Sequence, residues 1–263
     1  MTVLEAVILG LVQGLAEFLP ISSSGHLIIV QNLLGLKNNM LSFDVLLHVG
    51  TLIPVFIVFW QEIFALIKRP FQKMTLLLIV GTLPAVIFTL LLGDIIDSLF
   101  AGGLFLAIGY VITGILLLVS DRLKLGKKTE KDMSIADALA IGTVQAIAIT
   151  PGISRSGSTI TGSLFMGLTK DAAASYSFLL SIPAILGATV LQLKDIVTGE
   201  SSLVLIDFAP ALAGFLTAAV SGYIAIRFML NLIKKRKLKF FAVYVFILAA
   251  VLVVDYFTLG MII

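Results

Sequence analysis

Two short serine clusters contain the residue types best suited to bind an anion. Residues 22–26 read Ser-Ser-Ser-Gly-His and residues 154–158 read Ser-Arg-Ser-Gly-Ser, 132 positions apart in a chain of 263 residues. Hydroxyls donate hydrogen bonds, an arginine adds charge and a forked pair of donors, and a histidine adds a group that can carry a proton. The combination is typical of a site that binds a phosphate group and does chemistry on it.

Arg155 is the strongest single signal in the second cluster. It opens a predicted helix, where backbone amides and the hydroxyls of Ser154 and Ser156 converge with the guanidinium on what a phosphate group requires. Thr159 follows one helical turn later and would face the same way. The alternative is an internal ion pair between Arg155 and Glu17 that holds two halves of the chain together, and both roles are compatible in the empty protein.

The first cluster follows a carboxylate. Gln13 and Glu17 are four residues apart, so they share one face of a helix that points at the serines. A carboxylate in an apolar segment is costly, which makes Glu17 a candidate general base or divalent-ion ligand, or else a structural acceptor of free amides. His26 lies three residues after Ser23 and would share its face, which suits proton transfer or nucleophilic attack, against the alternative of a core histidine. Three further polar residues are candidates to line the same site, although packing or surface exposure is favoured for each: Asp44, His48 and Tyr176.

The elements that hold these clusters belong to a membrane protein. Hydrophobic residues make up 59% of the chain, charged residues 13%, and the mean hydropathy is +1.14. A soluble domain has roughly 25% charged residues. The chain has no cysteine, which excludes disulfides and thiolate metal sites, so a metal would need oxygen ligands or the two histidines, His26 and His48.

Apolar runs of spanning length predict six transmembrane helices, because a span needs roughly 20 apolar residues. They cover about 42–60, 74–92, 104–120, 173–193, 206–229 and 240–258. Each serine cluster lies instead in a pair of shorter apolar segments: 4–19 with 23–35, and 134–149 with 155–168. Pro20 breaks the first pair and Pro151-Gly152 breaks the second. Such segments reach only about 20 to 24 Å, less than a hydrocarbon core of about 30 Å, and we therefore predict re-entrant helix pairs.

The two clusters belong to an internal repeat. Further residue pairs recur at the same offset of 132 positions, or at 133: Gly10 with Gly142, Gln13 with Gln145, and Phe43 with Tyr176. We predict one membrane domain over residues 1–263, made of repeat one, about 1–126, and repeat two, about 132–263.

Loop charge gives the predicted topology. Thirteen Lys and Arg residues fall in the connections 61–73, 121–133 and 230–239, whereas the connections 36–41, 93–103 and 194–205 hold two. Because basic loops collect on the cytoplasmic side, we place the C-terminus outside and expect the first short pair to enter from outside and the second from the cytoplasm. The fold class is then an all-α polytopic membrane protein of two inverted-topology repeats, each a re-entrant helix pair plus three transmembrane helices.

This topology decides where the two serine turns lie. If each short pair crossed the membrane fully, residues 20–25 would lie at the inner face and residues 150–157 at the outer face. Re-entrant pairs bring both turns toward the midplane, where exposed backbone is tolerated only if protein buries it or it lines a wet cavity. We therefore predict one polar chamber that contains Ser23 and Arg155.

The residues described above resemble two signature motifs of one family. Gln13 to His26 (Q-x-x-x-E-F-L-P-I-S-S-S-G-H) and Pro151 to Thr159 (P-G-I-S-R-S-G-S-T) are similar to those of the undecaprenyl-diphosphate phosphatases, also called bacitracin-resistance proteins. The resemblance covers essentially the whole chain, and motifs this long are specific. One departure is Gln13, which stands where many members have a first Glu and removes one of two carboxylates that a metal-dependent mechanism would use.

The resemblance implies an activity and a set of residues. It implies hydrolysis of the terminal phosphate of undecaprenyl diphosphate at the plasma membrane, with the active site toward the outer face and a divalent cation, Mg²⁺ or Ca²⁺. This hydrolysis recycles the lipid carrier that is used for cell-wall polymers. The implied catalytic residues are Glu17, Ser23, His26 and Arg155, with Glu17 also the metal ligand, and the implied phosphate-site residues are Gln13, Ser22, Ser24, Ser154, Ser156 and Thr159. The expected partners are polyprenyl diphosphate and membrane lipids, with no nucleic acid and with a homodimer left open.

Two questions stay open at the level of sequence. The attacking group is Ser23, His26 or a water activated by Glu17 or His26, and we favour Ser23. Inverted repeats with broken helices also describe secondary transporters, so a transporter or flippase for a phosphorylated polyprenyl lipid or another anion is the alternative function. The acid-base and nucleophilic groups beside the anion site favour the enzyme.

Overall fold

The computed structural model describes the chain except for residues 37–39, 102, 124–125, 198–205, 236–237, 259, 261 and 263. Four of the basic residues counted in the loops therefore lie outside the described residues: Lys37, Lys124, Arg236 and Lys237. The described part of the chain is helical, apart from turns and one isolated bridge between Lys128 and Leu168. Its α-helices are α1 (Val3–Phe18), α2 (Ser23–Leu33), α3 (Leu41–Val58), α4 (Trp60–Lys68), α5 (Lys73–Ala101), α6 (Gly103–Arg122), α7 (Ile135–Ile147), α8 (Arg155–Phe165), α9 (Lys170–Val197), α10 (Phe208–Lys234) and α11 (Lys239–Thr258), and Glu130–Asp132 forms a short 3₁₀ helix.

Six of the described helices are long and apolar enough to cross a membrane. They are Leu41–Val58, Lys73–Gly93, Gly103–Arg122, Lys170–Lys194, Phe208–Lys234 and Lys239–Thr258. Each coincides with one of the six predicted spans to within a few residues. The prediction of an all-helical polytopic membrane protein is confirmed.

The serine clusters lie between shorter helices, where Pro20 and Pro151 are expected to break the chain. α1 has 16 residues, α2 has 11, α7 has 13 and α8 has 11. At 1.5 Å per residue even α1 is only about 24 Å long. The starts of α1 and α7 are fixed by capping boxes, Thr2 with Glu5 and Ser134 with Asp137.

Asp137 also ties α7 to the chain before it. Lys128 Nζ donates to both carboxylate oxygens of Asp137, at 3.0 and 3.1 Å, and the Ser134 amide donates at 2.8 Å. Burial raises the pKa of Asp137, but these hydrogen bonds outweigh it and the pKa lies below its ordinary value. The backbone of Lys128 pairs in turn with Gly167 and Thr169, after α8, so both ends of the α7–α8 pair lie together.

Glycines allow two pairs of helices to pack backbone to backbone. A Cβ atom at Gly10 of α1 would lie 2.4 Å from the Gly214 carbonyl oxygen of α10, and one at Gly142 of α7 would lie 2.4 Å from the Gly81 carbonyl oxygen of α5. No side chain fits in either contact. The first short pair is thereby fixed against α10 and the second against α5.

The described basic loops lie at one end of the helix bundle, which we call the basic face. Two hydrogen bonds join them: Lys73 Nζ to the Lys131 carbonyl at 2.6 Å, and the Lys239 amide to Asp121 at 2.8 Å. At the start of α9, Lys170 Nζ donates to the Lys234 carbonyl at 3.2 Å and brings α9 to the same end. At the opposite end, Asn32 Nδ2 donates to the Ile262 carbonyl at 2.8 Å. The end of α2 and the C-terminal residues therefore lie together, away from the basic face.

Candidate active site

Glu17, in the last turn of α1, is at the centre of the site. Its Oε1 pairs with Arg155 Nη2, and its Oε2 accepts hydrogen bonds from Ser23 Oγ at 2.6 Å and from Gln13 Nε2 at 3.1 Å. His48 Nε2 lies 3.7 Å from the same Oε2. Glu17 is only 7% exposed, and this arrangement supplies the opposite charge and the donors that a buried carboxylate requires.

The first serine turn depends on one unusual backbone conformation. Ser22 has φ 68° and ψ 100°, the only positive φ among the described non-glycine residues. Because side-chain sterics disfavour this region, the turn must be held by its surroundings. It lets α2 begin at Ser23, whose hydroxyl then faces Glu17. Before the turn, the Phe18 ring packs edge-on against Phe178 at 5.7 Å and fixes the end of α1.

The second serine turn is held by α6 and by its own cap. Thr113 Oγ1 accepts a hydrogen bond from the Ser154 amide at 2.9 Å and donates to the Gly152 carbonyl at 2.9 Å. Ser154 Oγ accepts from the Gly157 amide at 3.1 Å and caps α8. Arg155 is therefore the first residue of α8, and its Nη1 also donates to the Ser177 carbonyl at 3.4 Å.

The two turns are in direct contact. Ser156 Oγ donates to the Leu19 carbonyl at 3.1 Å, and Pro20 packs close to Gly157. Ser23 and Arg155, which are 132 positions apart, both bind the carboxylate of Glu17. A single chamber formed by both turns requires this proximity.

A cavity of about 210 Å³ lies beside this contact. Its polar wall is formed by Glu17, Ser22, Ser23, Ser24, His48 and Arg155. On α9 the lining runs from Ala184 to Gln192, and α9 itself runs from Lys170, at the basic face, to the far end of the bundle. The cavity thus extends from Arg155 away from the basic face. A larger groove of about 500 Å³ between α6 and α11 is apolar and is lined by none of these residues.

Four of the predicted phosphate-site residues lie behind the cavity wall. Gln13, Ser154, Ser156 and Thr159 are each at most 1% exposed. Thr159 Oγ1 donates to the Arg155 carbonyl at 2.9 Å and contacts Ser177 Oγ at 2.6 Å. In this conformation these side chains hold the turns and Glu17 in place, while Ser22 and Ser24 reach the cavity. Their direct contact with a phosphate stays a prediction.

His26 does not share the surroundings of Ser23. Its ring lies between Tyr110 and Tyr244, on the side of the turn that faces α6 and α11, and it does not line the cavity. That expectation required a second half-helix that starts near Ser22, and α2 does begin at Ser23. Residues three apart on a helix still differ by about 60° around its axis, and here Ser23 faces Glu17 whereas the His26 ring faces Tyr110 and Tyr244.

The histidine that lines the cavity is His48 of α3. Its Nδ1 contacts the Asp44 carbonyl at 2.7 Å, so Nδ1 carries the hydrogen and Nε2 faces Glu17. Asp44 accepts a hydrogen bond from Gln31 Nε2 at 2.7 Å through its own carboxylate. From the sequence, His48 is a candidate to line the chamber, but packing or surface exposure is favoured over that role. The available signal was the polar series Asp44, His48 and Thr51, which follows one helical face of an otherwise apolar span.

The donor set does not by itself fit a divalent cation. Among the described residues no group of three His, Asp or Glu side chains is placed to hold a metal ion. Glu17 is the only carboxylate of the described cavity lining, and its oxygens are engaged by Arg155 and Ser23. Gln13 Oε1, buried without a hydrogen-bond partner, would add one neutral ligand. Mg²⁺ and Ca²⁺ require about six or more oxygens, so these side chains do not form a complete site for either cation.

Comparison with known proteins identifies the family of the chain. The family model described as "Bacitracin resistance protein BacA" matches residues 6–251. An undecaprenyl-diphosphatase of Carboxydothermus hydrogenoformans is 48% identical over 95% of this chain and 96% of its own length. Proteins of the same name from Methanosphaera stadtmanae and Alkaliphilus metalliredigens are each 42% identical over 96% of this chain, covering 97% and 98% of their lengths. With a match of this extent, the chain belongs to the BacA family of bacitracin resistance proteins.

Proposed function

We propose that this protein is an integral membrane undecaprenyl-diphosphatase, which hydrolyses undecaprenyl diphosphate to the monophosphate and inorganic phosphate. The observation that carries the proposal is the partly buried contact of Arg155, Glu17 and Ser23 beside a cavity, since it joins an anion-binding group, a base and a hydroxyl. The names of the relatives describe the same reaction. The monophosphate returns to peptidoglycan and other cell-wall synthesis, which connects the activity with bacitracin resistance.

The proposed architecture is two inverted repeats with re-entrant pairs. Two equivalent three-residue contacts support it: Gly10, Gly214 and Phe43 in one, and Gly142, Gly81 and Tyr176 in the other. Corresponding residues are 132 or 133 positions apart, as 10 and 142, 43 and 176, and 81 and 214 are. The same packing is therefore built twice, with each short pair docked on a helix of the other repeat.

The proposed orientation places the cavity toward the outer side of the plasma membrane. Basic loops favour the cytoplasm, and the cavity extends away from the basic face along α9. The C-terminal residues lie at the same end as the end of α2, so in the proposed orientation they are outside. A site with this opening receives a diphosphate head from the outer leaflet.

Arg155 would bind the terminal phosphate. The head enters the small polar cavity while the polyprenyl tail stays in the lipid, because moving a long apolar chain through water is unfavourable. In the empty protein the guanidinium is paired with Glu17. A phosphate offers it a more highly charged, bidentate partner, and the amides at the start of α8 add donors. Substrate binding would therefore transfer Arg155 from the carboxylate to the phosphate.

Glu17, once released from Arg155, would accept the proton of Ser23, whose Oγ is already 2.6 Å away. Ser23 Oγ attacks the terminal phosphorus, the bond to the bridging oxygen breaks, and the lipid monophosphate leaves. Water then hydrolyses the phosphoserine. Arg155 stabilises the charge on the transferred group in both steps. His48 Nε2, which faces the cavity, is placed to exchange a proton with the attacking or departing oxygen.

A divalent cation, if the reaction uses one, would arrive with the substrate. Diphosphate oxygens are good ligands for Mg²⁺, which is commonly bound through one or two carboxylates plus substrate phosphates. In this chain Glu17 is the carboxylate available for that contact, since position 13 is a glutamine. The cation would reduce the charge of the phosphates during binding.

The test is phosphate release by the purified protein in detergent from a polyprenyl diphosphate. Arg155→Ala and Glu17→Gln should each lower kcat by about 10² to 10³-fold, the scale for losing a charge-stabilising group. Arg227→Ala and Glu62→Gln are matched controls, because both side chains are exposed and remote from the cavity, and they should keep wild-type turnover. An inactive wild type would disprove hydrolysis, and near-normal turnover of either site variant would remove that residue from the mechanism.

The paired broken helices that meet inside the bundle also favour a second candidate, a carrier for the phosphorylated lipid. The detergent assay separates the two functions, because it has no membrane and no gradient. A carrier without catalysis would bind the lipid but release no phosphate. Release in detergent, abolished by Glu17→Gln, assigns the site to catalysis.

A further inference from the structure

Both ring nitrogens of His26 are engaged by the protein itself. Nδ1 lies 2.8 Å from the Ser22 carbonyl oxygen and 3.0 Å from Tyr110 Oη, and Nε2 lies 2.7 Å from Tyr244 Oη. A carbonyl oxygen only accepts, so Nδ1 carries the hydrogen and the Tyr244 hydroxyl donates to Nε2. In this arrangement no ring nitrogen is left to exchange a proton with a substrate.

The group that His26 binds is the strained part of the active-site turn. The Ser22 carbonyl accepts hydrogen bonds from the His26 ring and from the His26 backbone amide, at 2.8 and 3.3 Å. Ser22 has a positive φ and a ψ of 100°, a conformation that costs a residue with a side chain free energy and persists only when neighbours fix it. Ser22 has no side-chain capping bond to α2 that would hold the turn instead.

The backbone conformation of Ser22 determines the direction of the Ser23 side chain. Ser23 follows the reversed backbone directly and donates to Glu17 at 2.6 Å. A rotation of the Ser22 peptide would move the Ser23 hydroxyl out of line with Glu17 and with a phosphate bound to Arg155. Tyr110 and Tyr244 hold the His26 ring from α6 and α11, so the clamp is anchored in two membrane-spanning helices.

We infer that His26 is a positioning residue, which clamps the Ser22 carbonyl from behind the cavity and thereby aims the Ser23 hydroxyl. This inference rests on the proposed function, since its measurable effect is on phosphate transfer by Ser23. It differs from the catalytic role that the family resemblance implied, because His26 acts without contacting the substrate.

A double-mutant cycle with Ser22→Gly tests the clamp. Glycine accepts a positive φ without a side-chain penalty, so the turn needs the clamp less in that background. His26→Ala alone should lower kcat by about 10²-fold, the scale for a displacement of 1 Å at a reacting group, with little change in KM. In the Ser22→Gly background the same change should cost about tenfold less. An equal loss in both backgrounds would overturn the inference.

Two conservative variants give an independent readout. The side-chain amide nitrogen introduced by His26→Asn overlaps the position of Nδ1 and keeps the donor to Ser22, whereas the one introduced by His26→Gln reproduces Nε2 and loses that donor. Positioning predicts that the asparagine variant retains most of the wild-type kcat and that the glutamine variant does not. An acid-base role predicts that both are inactive, since neither amide titrates. If His26→Ala does not fold, this comparison decides alone.

The outcome is distinguishable from failure of the proposed function. A wild-type protein without phosphate release would reject the enzyme and, with it, the stated effect of His26 on phosphate transfer by Ser23. An active wild type with equally inactive asparagine and glutamine variants, both with wild-type thermal stability in detergent, would reject only the clamp.

Discussion

At the scale of single residues, Glu17 is the shared partner of the site. One carboxylate pairs with Arg155, accepts from Ser23 and Gln13, and lies near His48. In the proposed mechanism Glu17 loses its pairing with Arg155 when the phosphate binds, and it then accepts the proton of Ser23. A carboxylate so occupied has little capacity left for a resident metal ion, which leads to a prediction about position 13.

The empty wild-type protein should bind Mn²⁺, as a probe for Mg²⁺, only weakly, and Gln13→Glu should create a measurable site. The introduced carboxylate would stand one helical turn from Glu17, and two carboxylates are a far better ligand pair for a hard cation than one. Electron paramagnetic resonance of Mn²⁺ titrated into protein in detergent, with and without methylene diphosphonate, measures this without turnover.

The matched control is the double variant Gln13→Glu, Glu17→Gln, which again has one carboxylate and should lose the added affinity. With the diphosphonate present, the wild-type protein should retain Mn²⁺ through the anion. Stoichiometric binding of Mn²⁺ to the empty wild type at micromolar concentration would contradict the idea that the cation arrives with the substrate.

Single residues also show how far the sequence alone could go. Glu17, Ser23 and Arg155 were recognisable because a carboxylate and a guanidinium beside hydroxyls are rare in apolar segments. Residue type alone could not tell which of the two histidines, His26 or His48, lines the cavity. Helical spacing tells which residues share a face, but it does not reveal a positive φ at Ser22 that redirects α2, nor which neighbour that face meets.

At the scale of elements, α1 and α7 are positioned by glycine contacts with helices far away in the sequence. The length of the short helices and the breaks at Pro20 and Pro151 were predictable from apolar run length and proline. The partner helices were not, because a small residue marks a close contact without identifying the other side. The structure identifies them as α10 for Gly10 and α5 for Gly142.

Gly10→Val and Gly142→Val should each destabilise the protein by about 1 to 3 kcal/mol or more, the cost of overpacking a filled contact. The added side chains would meet the backbone of Gly214 and Gly81, which cannot move aside as a flexible side chain does. Thermal unfolding in detergent, followed by circular dichroism, measures the loss. Phosphate release should fall with it, because displacing α1 moves Glu17 and displacing α7 moves the turn that precedes Arg155.

Gly187→Val is the matched control, since it places the same residue in the membrane-spanning helix α9 where an added Cβ meets no atom within 4 Å. Its midpoint should stay near that of the wild type. Equal midpoints for all three variants would mean that the glycine contacts do not hold the short pairs.

At the scale of the whole molecule, the hydrophobic composition identified a membrane protein, and the loop charge predicted its orientation in the membrane. Neither gives the depth of the serine turns, which depends on how the two repeats pack against each other. Two alternatives follow from the same sequence. In full hairpins the turns would emerge on opposite faces of the membrane. In re-entrant pairs both turns would open to one cavity, and the contacts between Ser156 and Leu19 and between Arg155 and Glu17 favour that arrangement.

Labelling from one side of the membrane distinguishes these alternatives, and the absence of cysteine from the native chain makes single-cysteine variants directly interpretable. Ser24→Cys and Ile149→Cys place a thiol in each wall of the cavity, Lys131→Cys reports the basic face, and Thr258→Cys reports the opposite end. A membrane-impermeant maleimide added outside intact cells should label both cavity positions and Thr258→Cys, but not Lys131→Cys. Both cavity positions should also be protected by added polyprenyl diphosphate. If Ser24→Cys reacts only from the cytoplasm while Ile149→Cys reacts from outside, the two turns lie on opposite faces and cannot form one active site.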